Sequence, residues 1–506
     1  MIALAVDLGT TAAKAAVVSL DGHVLGAGTE PITTVFRGGG AAEQDAEAVW
    51  TAVLAASSRA LAQAGQSARV GVAVVCCTGQ WASIVPVDGS GSPVGPLFTW
   101  FDRRGSTHVE RITSGPSGAA VASRWREIHG FGPGTSLTHL LHVQHDKPDM
   151  HRRTVSYLEP VDYLTARFCG VIATTGNTSM PMALSDTRVL GSTRWSAELC
   201  ALAGVDMTRL PQLVGARTVL GDILPAVADR LGLRRSVAVT TGANDSVAMA
   251  LGTDAIAEGR GTVVTGTTGV LTAHHSVRVN DVERSVVTMP SALDDRFYVV
   301  AEGGLGGKAL EVFLAQLAPG DDVSDAFASV DGLAASVAPG ADGVMFLPWL
   351  IGSMAPRADE HQRGAFLGIS LRTTRAHLLR AVLEGVAMQM RWLVDEVSAA
   401  IGVQFASLRF AGGGAESTVW AQIMADVLGR VVELVRDPRQ ANARGAALLG
   451  FLSIGAIGTG DLAALVAISN TYEPDPRLTD LFDERLHIFR DLHHRLSEPI
   501  ARLHAR

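Results

Sequence analysis

Cysteine is scarce in this chain: four in 506 residues, and none of Cys76, Cys77, Cys169 and Cys200 has the Cys-x-x-Cys spacing of a zinc site. Adjacent Cys76 and Cys77 are poor partners for one another. The four therefore read as small buried hydrophobes in a reducing compartment. Charge is sparse too, at 18% of residues with a formal net charge of −8. There is no basic stripe, which argues against a nucleic-acid partner. A membrane-length apolar run is also missing. The most apolar stretch, Ala446 to Ile457, is short and is followed by Gly458, Gly460 and Asp461, so it reads as a buried helix. The opening MIALAVDLGTTAAK lacks the basic segment, apolar run and cleavage site of an export signal. With no low-complexity tract either, the expectation is a soluble cytoplasmic protein.

What is present suits a large globular molecule. Hydrophobic residues make up 47% of the chain, and the length predicts two large domains. Ile2 to Val6 is an apolar run, Lys14 to Ser19 another, and Asp21-Gly22 turns into His23 to Leu25. The order is strand–turn–strand–turn–strand, with DLGTTAAK as the first turn. A P-loop or dinucleotide glycine loop leads from a strand into a helix, and this one does not. Ala46 to Ala64 then reads as a helix and Arg69 to Cys77 as a buried strand, opening an alternation that predicts mixed sheets with helical covering layers. A second unit begins near residue 246. There Thr262 to Thr265 runs through Gly266-Thr267-Thr268-Gly269 into Val270 to Ala273, a hairpin like the first in form. Further on, Leu408 to Phe410 leads through Gly412-Gly413-Gly414 into a helix from Thr418 to Leu428.

These motifs, in order, resemble the FGGY carbohydrate kinases within the wider sugar kinase, actin and Hsp70-type ATPase superfamily. DLGTTAAK is similar to that family's first phosphate loop, TGQWASIVPVD and WFDRR to its substrate segments, and TGANDSVAMALG to the segment with the catalytic aspartate. TGTTGVL resembles the second phosphate loop and FAGGGAESTVWAQIMADVLG the adenosine segment. The most specific match is GAFLGISLRTTRAHLLRAVLEG, Gly364 to Gly385, which fits the C-terminal signature at each constrained position, from Gly364 to His377, Ala381 and Glu384. The resemblance implies an α/β protein of two ribonuclease H-like domains, 1–245 and 246–506, flanking a central cleft. Gly9-Thr10 and Gly266-Thr267 are expected to face each other across it. Two departures stand where substrate is expected. His139 and His142 replace a Lys and a Trp, and Gln80 is followed by Trp81-Ala82-Ser83 rather than by the Met-His-Gly usual in xylulokinase-like members or the Arg-Glu of glycerol kinase-like ones.

Phosphoryl transfer needs donors on the phosphates, a Mg²⁺ site and a carboxylate to take the hydroxyl proton. The Gly9-Thr10-Thr11 turn offers backbone N–H groups and hydroxyls; alone it would pass as an ordinary turn, but with Gly266-Thr267-Thr268 it reads as phosphate-binding. Lys14 either adds charge there or is simply solvated. Asp7, ending an apolar strand, is expected to touch the substrate and to organise Mg²⁺, directly or through water. Asp245 would by default cap a helix, yet an ionised carboxylate at a helix N-terminus also suits the general base, the role the resemblance implies. Gly412, Gly413 and Gly414 let backbone approach adenosine closely, and Gly307 and Asn442 are assigned to ATP as well. Gln80, Trp81, Ala82, Ser83 and Asp102 are assigned to the substrate. Trp81 either packs in the core or stacks on a sugar, Ser83 is a single donor, and Asp102 pairs with Arg103. His139 and His142 read as polar surface or substrate-rim residues rather than metal ligands. The expected activity is ATP-dependent phosphorylation of a small sugar or polyol, with D-xylulose the default. A glycerol- or tetritol-type kinase and a non-catalytic sugar or nucleotide sensor are the alternatives, a chaperone-like role is disfavoured, and a homodimer is left open.

Overall fold

The computed structural model describes residues 1–317 and 330–504. The chain divides into two compact units. The first comprises Met1–Gly252, Met289–Tyr298 and Asn442–Leu465, and the second Thr253–Thr288, Val299–Ala441 and Val466–Arg506. A division at 245/246 had been expected. The difference arises because the helix Asp245–Gly252 stays with the strand before it, and because two later segments return to the first unit.

The first unit is built on β1 (Ile2–Leu8), β2 (Ala12–Ser19), β3 (Val24–Pro31), β4 (Val72–Gly79), β5 (Val219–Asp222) and β6 (Ala238–Thr240), in the order β5-β6-β4-β1-β2-β3, with the short β7 (Ala243–Asn244) also on β4. β1, β2 and β3 are antiparallel neighbours, whereas β4 and β6 continue from β1 in parallel. A sheet with parallel central strands must be covered on both faces, and the sequence of β1 provides for this by alternation. Leu4, Val6 and Leu8 point into a core with the helix Ala46–Gly71. Ala3 and Ala5 point the other way, against Ala443, Ala446, Ala447 and Phe451 of the helix Ala441–Ser453. Between β4 and β5 lies a largely helical insert with its own core, including Trp125, Leu137, Leu140 and Tyr157.

The second unit repeats this plan. β8 (Arg260–Thr265), β9 (Thr268–His275), β10 (Phe297–Leu305), β11 (Ser407–Ala411) and β12 (Val431–Val435) take the order β10-β9-β8-β11-β12. β8 and β9 are antiparallel, and β11 and β12 run parallel to β8. In the first unit β1 to β3 form a meander that β4 and β6 extend in parallel beyond β1, and in the second β8 and β9 form a hairpin that β11 and β12 extend in parallel beyond β8. The signature segment serves this core. His377 closes the capping box that starts the helix Arg375–Ile401, and fully buried Glu384 accepts from Arg380 Nε at 2.8 Å and from the Gly340 amide at 2.9 Å. Among the described residues no helix is long and apolar enough to cross a membrane.

Candidate active site

In the first unit, strand register brings the acidic residues to one edge. Asp7 pairs with Thr78 and Thr78 with Ala243; one step on, Leu8, Gly79 and Asn244 are aligned. Three parallel strand ends, each about 4.8 Å from the next, thus carry Asp7, Gln80 and Asp245 out of the same side of the sheet. The crossing at Gly79 is close: its φ is +155°, and a Cβ there would lie 2.5 Å from the Leu8 carbonyl oxygen. The Gln80 amide donates to that same carbonyl at 2.6 Å, which places Gln80 beside the first Gly/Thr turn. Gln80 Nε2 donates to Gln44 Oε1 at 3.0 Å, and Gln44 Nε2 to the Thr10 carbonyl at 2.7 Å. Gln80 Oε1 is buried with no hydrogen-bond partner in the protein.

Asp7 is only 8% exposed. Burial raises its carboxyl above the ordinary range, opposed by the charge of Lys14, its cross-strand partner, and by a hydrogen bond from the Asn442 side chain. Lys14 is itself exposed. Asn442, assigned to ATP, belongs to the first unit and hydrogen-bonds Asp7. The N-terminal end of the helix Ala441–Ser453 delivers it there, and its Oδ1 is buried without a partner.

Asp245 opens the helix Asp245–Gly252, but it does not cap it. Asn244 Oδ1 accepts from the Val247 amide at 2.9 Å, while Asn177 Oδ1 takes the Asn244 amide at 3.1 Å. The half-buried Asp245 carboxylate accepts from Ser246 Oγ at 3.2 Å and stands at the N-terminal end of the helix.

Several substrate assignments change. Trp81 is partly buried and its Nε1 donates to the Thr178 carbonyl at 3.1 Å, so one edge of the ring is held by protein. Ser83 is fully buried and its Oγ donates to the Trp81 carbonyl at 3.3 Å, so it is not the free donor expected. Asp102 pairs with Arg104 rather than Arg103. Arg104 Nη2 donates to Asp102 at 2.6 Å and also to Glu43 at 2.6 Å, and the Ala42 amide donates to Asp102 at 3.0 Å, so this buried carboxylate ties the segment 102–104 to Ala42 and Glu43. Arg103 is exposed because it lies one residue off that register. His139 and His142 are buried, not surface residues, since the inner face of the helix Thr135–Asp146 carries them. His142 Nδ1 lies 2.8 Å from Asp146, and no cluster of three metal-ligating side chains occurs among the described residues. Sequence reasoning missed Trp100, which is 40% exposed and donates from Nε1 to Thr10 Oγ1 at 3.2 Å. A Trp two residues before Asp102 in WFDRR is the available signal.

Beneath Trp81, buried Asp162 accepts from Thr174 Oγ1 at 2.6 Å and from the Thr178 side chain, yet burial pushes its carboxyl up to about 7. A folded pKa above the unfolded value of 3.8 means that its stability contribution is complete below pH 4 and is lost as pH rises through 7. Asp162→Asn should shrink the fall in melting temperature between pH 5 and pH 8. Melting curves at both pH values check this, and an undiminished fall would contradict it.

In the second unit, glycine backbone surrounds the Gly266-Thr267 turn. The Gly306 amide donates to the Thr267 carbonyl at 3.1 Å. A Cβ on Gly307 would lie 2.9 Å from the Gly266 carbonyl oxygen, one on Gly412 2.9 Å from that of Thr265, and one on Gly414 2.1 Å from Thr265 Oγ1. Gly413 and Gly266 face open space, and Thr267 is exposed. The Thr268 hydroxyl donates to Glu302, whose carboxyl burial raises toward the neutral form. The geometry brings Gly307, Gly412 and Gly414 onto one turn, at which Thr267 is exposed.

Residues 2–252 match the N-terminal domain of the FGGY family of carbohydrate kinases and residues 261–454 its C-terminal domain. The chain belongs to that family. Its similarity extends to a xylulose kinase of Bacillus subtilis (strain 168), 26% identical over 89% of this chain and 88% of the relative. A glycerol kinase of Bordetella parapertussis is 28% identical over 93% and 92%. Among solved structures, a xylulose kinase from Rhodospirillum rubrum superposes with a TM-score of 0.85 at 27% identity, covering 99% of this chain and 100% of that one. As an FGGY kinase the protein uses ATP to phosphorylate a sugar hydroxyl.

Proposed function

We propose that this FGGY kinase phosphorylates a ketopentose of the D-xylulose type, with Asp245 as general base. The observation that carries the reading is the common edge of β1, β4 and β7. It presents Asp7, Gln80 and Asp245 together, with Asn244 Oδ1 on the Val247 amide at the start of the helix. The acceptor oxygen bonds to the γ-phosphorus as the bond to the β,γ-bridging oxygen breaks, and the hydroxyl proton passes to the Asp245 carboxylate. The Gly9-Thr10-Thr11 turn and the Gly266-Thr267-Thr268 turn hold phosphate oxygens through backbone N–H and hydroxyl groups, and the backbone of Gly412 to Gly414 lies along adenosine. Gln80 Oε1, buried and unpartnered, accepts from a sugar hydroxyl, and Trp100 offers its exposed ring to the sugar's apolar face.

Mg²⁺ fits at Asp7, whose carboxylate gains a cation to offset its burial, and Asn442 Oδ1 is an unpartnered acceptor for a metal-bound water. Bound there, the ion would neutralise charge developing on the phosphates. Four thiols without a disulfide suit a cytoplasmic setting. The test is ADP release across a panel of acceptors with saturating MgATP. D-xylulose should give the highest kcat/KM, and a higher value with glycerol or a tetritol would replace the substrate while leaving the kinase in place.

A further inference from the structure

The turn that follows Gln80 is held in an unfavourable conformation by groups outside any substrate contact. Ala82 has φ +57°, in the left-handed region that is unfavourable for a non-glycine residue. Such a conformation persists only where the surroundings over-determine it. Here they do so from both sides. The Ala82 and Ser83 amides both donate to the Glu159 carboxyl, the second at 3.3 Å to Oε2, and the Ser136 hydroxyl donates to Oε1. On the other side, His139 Nε2 lies 3.3 Å from the Ala82 carbonyl oxygen. Glu159 and His139 are both essentially inaccessible to solvent. Burial lowers the His139 pKa to about 4, so the ring is neutral and donates one proton to that carbonyl. A buried carboxyl and a buried imidazole thus hold Ala82 and Ser83, the two residues that follow Trp81.

We propose that Glu159 and His139 are positioning residues for acceptor recognition, clamping the Trp81–Ala82–Ser83 turn so that the Trp81 ring is held at one angle beside Gln80. The inference rests on the reading above that Gln80, the residue leading into this turn, meets the acceptor. Selectivity then comes from the fixed attitude of a ring, because Ala82 has no polar side chain and the Ser83 hydroxyl is already engaged. The clamp also gives His139 a purpose, as a neutral donor beneath the Ala82 carbonyl.

The test is a double-mutant cycle of Glu159→Gln and Trp81→Ala in the full chain, read as KM for acceptor, KM for ATP and kcat. Glu159→Gln replaces one of the two acceptor oxygens with a donor, so the three donors now on the carboxyl, the Ala82 and Ser83 amides and the Ser136 hydroxyl, are left a single oxygen. It should raise the acceptor KM about tenfold, with kcat and the ATP KM within about twofold. In the Trp81→Ala background the same change should have almost no further effect, since the ring it positions is gone. An equal rise in both backgrounds would overturn the clamp, as would no rise in either. If Trp81→Ala alone leaves the acceptor KM unchanged, the Trp81 ring does not meet the acceptor, and the clamp falls while the reading of Gln80 stands. Should Glu159→Gln fail to fold, His139→Gln enters the same cycle with the same criteria.

Discussion

Asp245→Asn should lower kcat by about a hundredfold or more and leave KM for ATP within about twofold. The substitution keeps the size and shape of the side chain and removes the charge that receives the hydroxyl proton. In many helices an aspartate at this position would also cap the first turn, and its loss would confuse a catalytic effect with a stability effect. Here the cap is Asn244, bonded to the Val247 amide. The variant should therefore melt within about 2 °C of the wild type, a separation of activity from stability that a purely structural aspartate would not give. Steady-state kinetics alongside melting curves measure both. Near-normal turnover would move the base elsewhere, with Asp7 the next candidate.

Gly445→Ala should be the most damaging small substitution in the first unit. A Cβ at Gly445 would lie 1.8 Å from the Ala248 carbonyl oxygen, backbone of the helix that Asp245 begins. Neither helix can yield by a side-chain rotation, so the two must separate. Overpacking of this kind costs typically 1–3 kcal/mol and sometimes more. The helix that moves also carries Asn442, one turn before Gly445, and with it the hydrogen bond to Asp7. We therefore expect a melting temperature lower by about 5 °C or more, together with a fall in kcat/KM. Gly450→Ala on the same helix is the control. Its Cβ would meet only side-chain atoms of Cys76 and Val74, at 3.1 and 3.3 Å, and should cost much less. Equal melting temperatures for the two variants would refute this account.

The hairpins were legible because their signals are local. An apolar run, a Gly/Thr or Asp-Gly turn and a second apolar run suffice for β1 to β3, and the same pattern gives β8 and β9. The helix Thr418–Leu428 follows its expected bounds, since Ser417 caps it and Gly429 ends it. The exit of Asp7 and Asp245 from apolar strands was likewise visible. What escaped depends on register or long-range packing. Whether Asp102 meets Arg103 or Arg104 turns on one residue of side-chain direction. That Asn244 rather than Asp245 caps the helix depends on where the first turn begins. The burial of His139 and His142 requires knowing which face of a helix meets the Phe98 ring. Asn442 lies hundreds of residues from Asp7 in sequence, and no local pattern announces that pairing.

The return of Asn442–Leu465 to the first unit bears on how the protein is made. Until that segment leaves the ribosome, the face of the first sheet formed by Ala3, Ala5, Ala16, Val18 and Val74 has no cover. Translation at about 5–20 residues per second leaves an interval on the order of ten to forty seconds between Gly252 and Asn442. Through that interval the nascent amino-terminal half carries an open apolar sheet. A chain cut after Gly252 would carry it permanently and should aggregate, so the unit that opens the sequence is among the last to be finished.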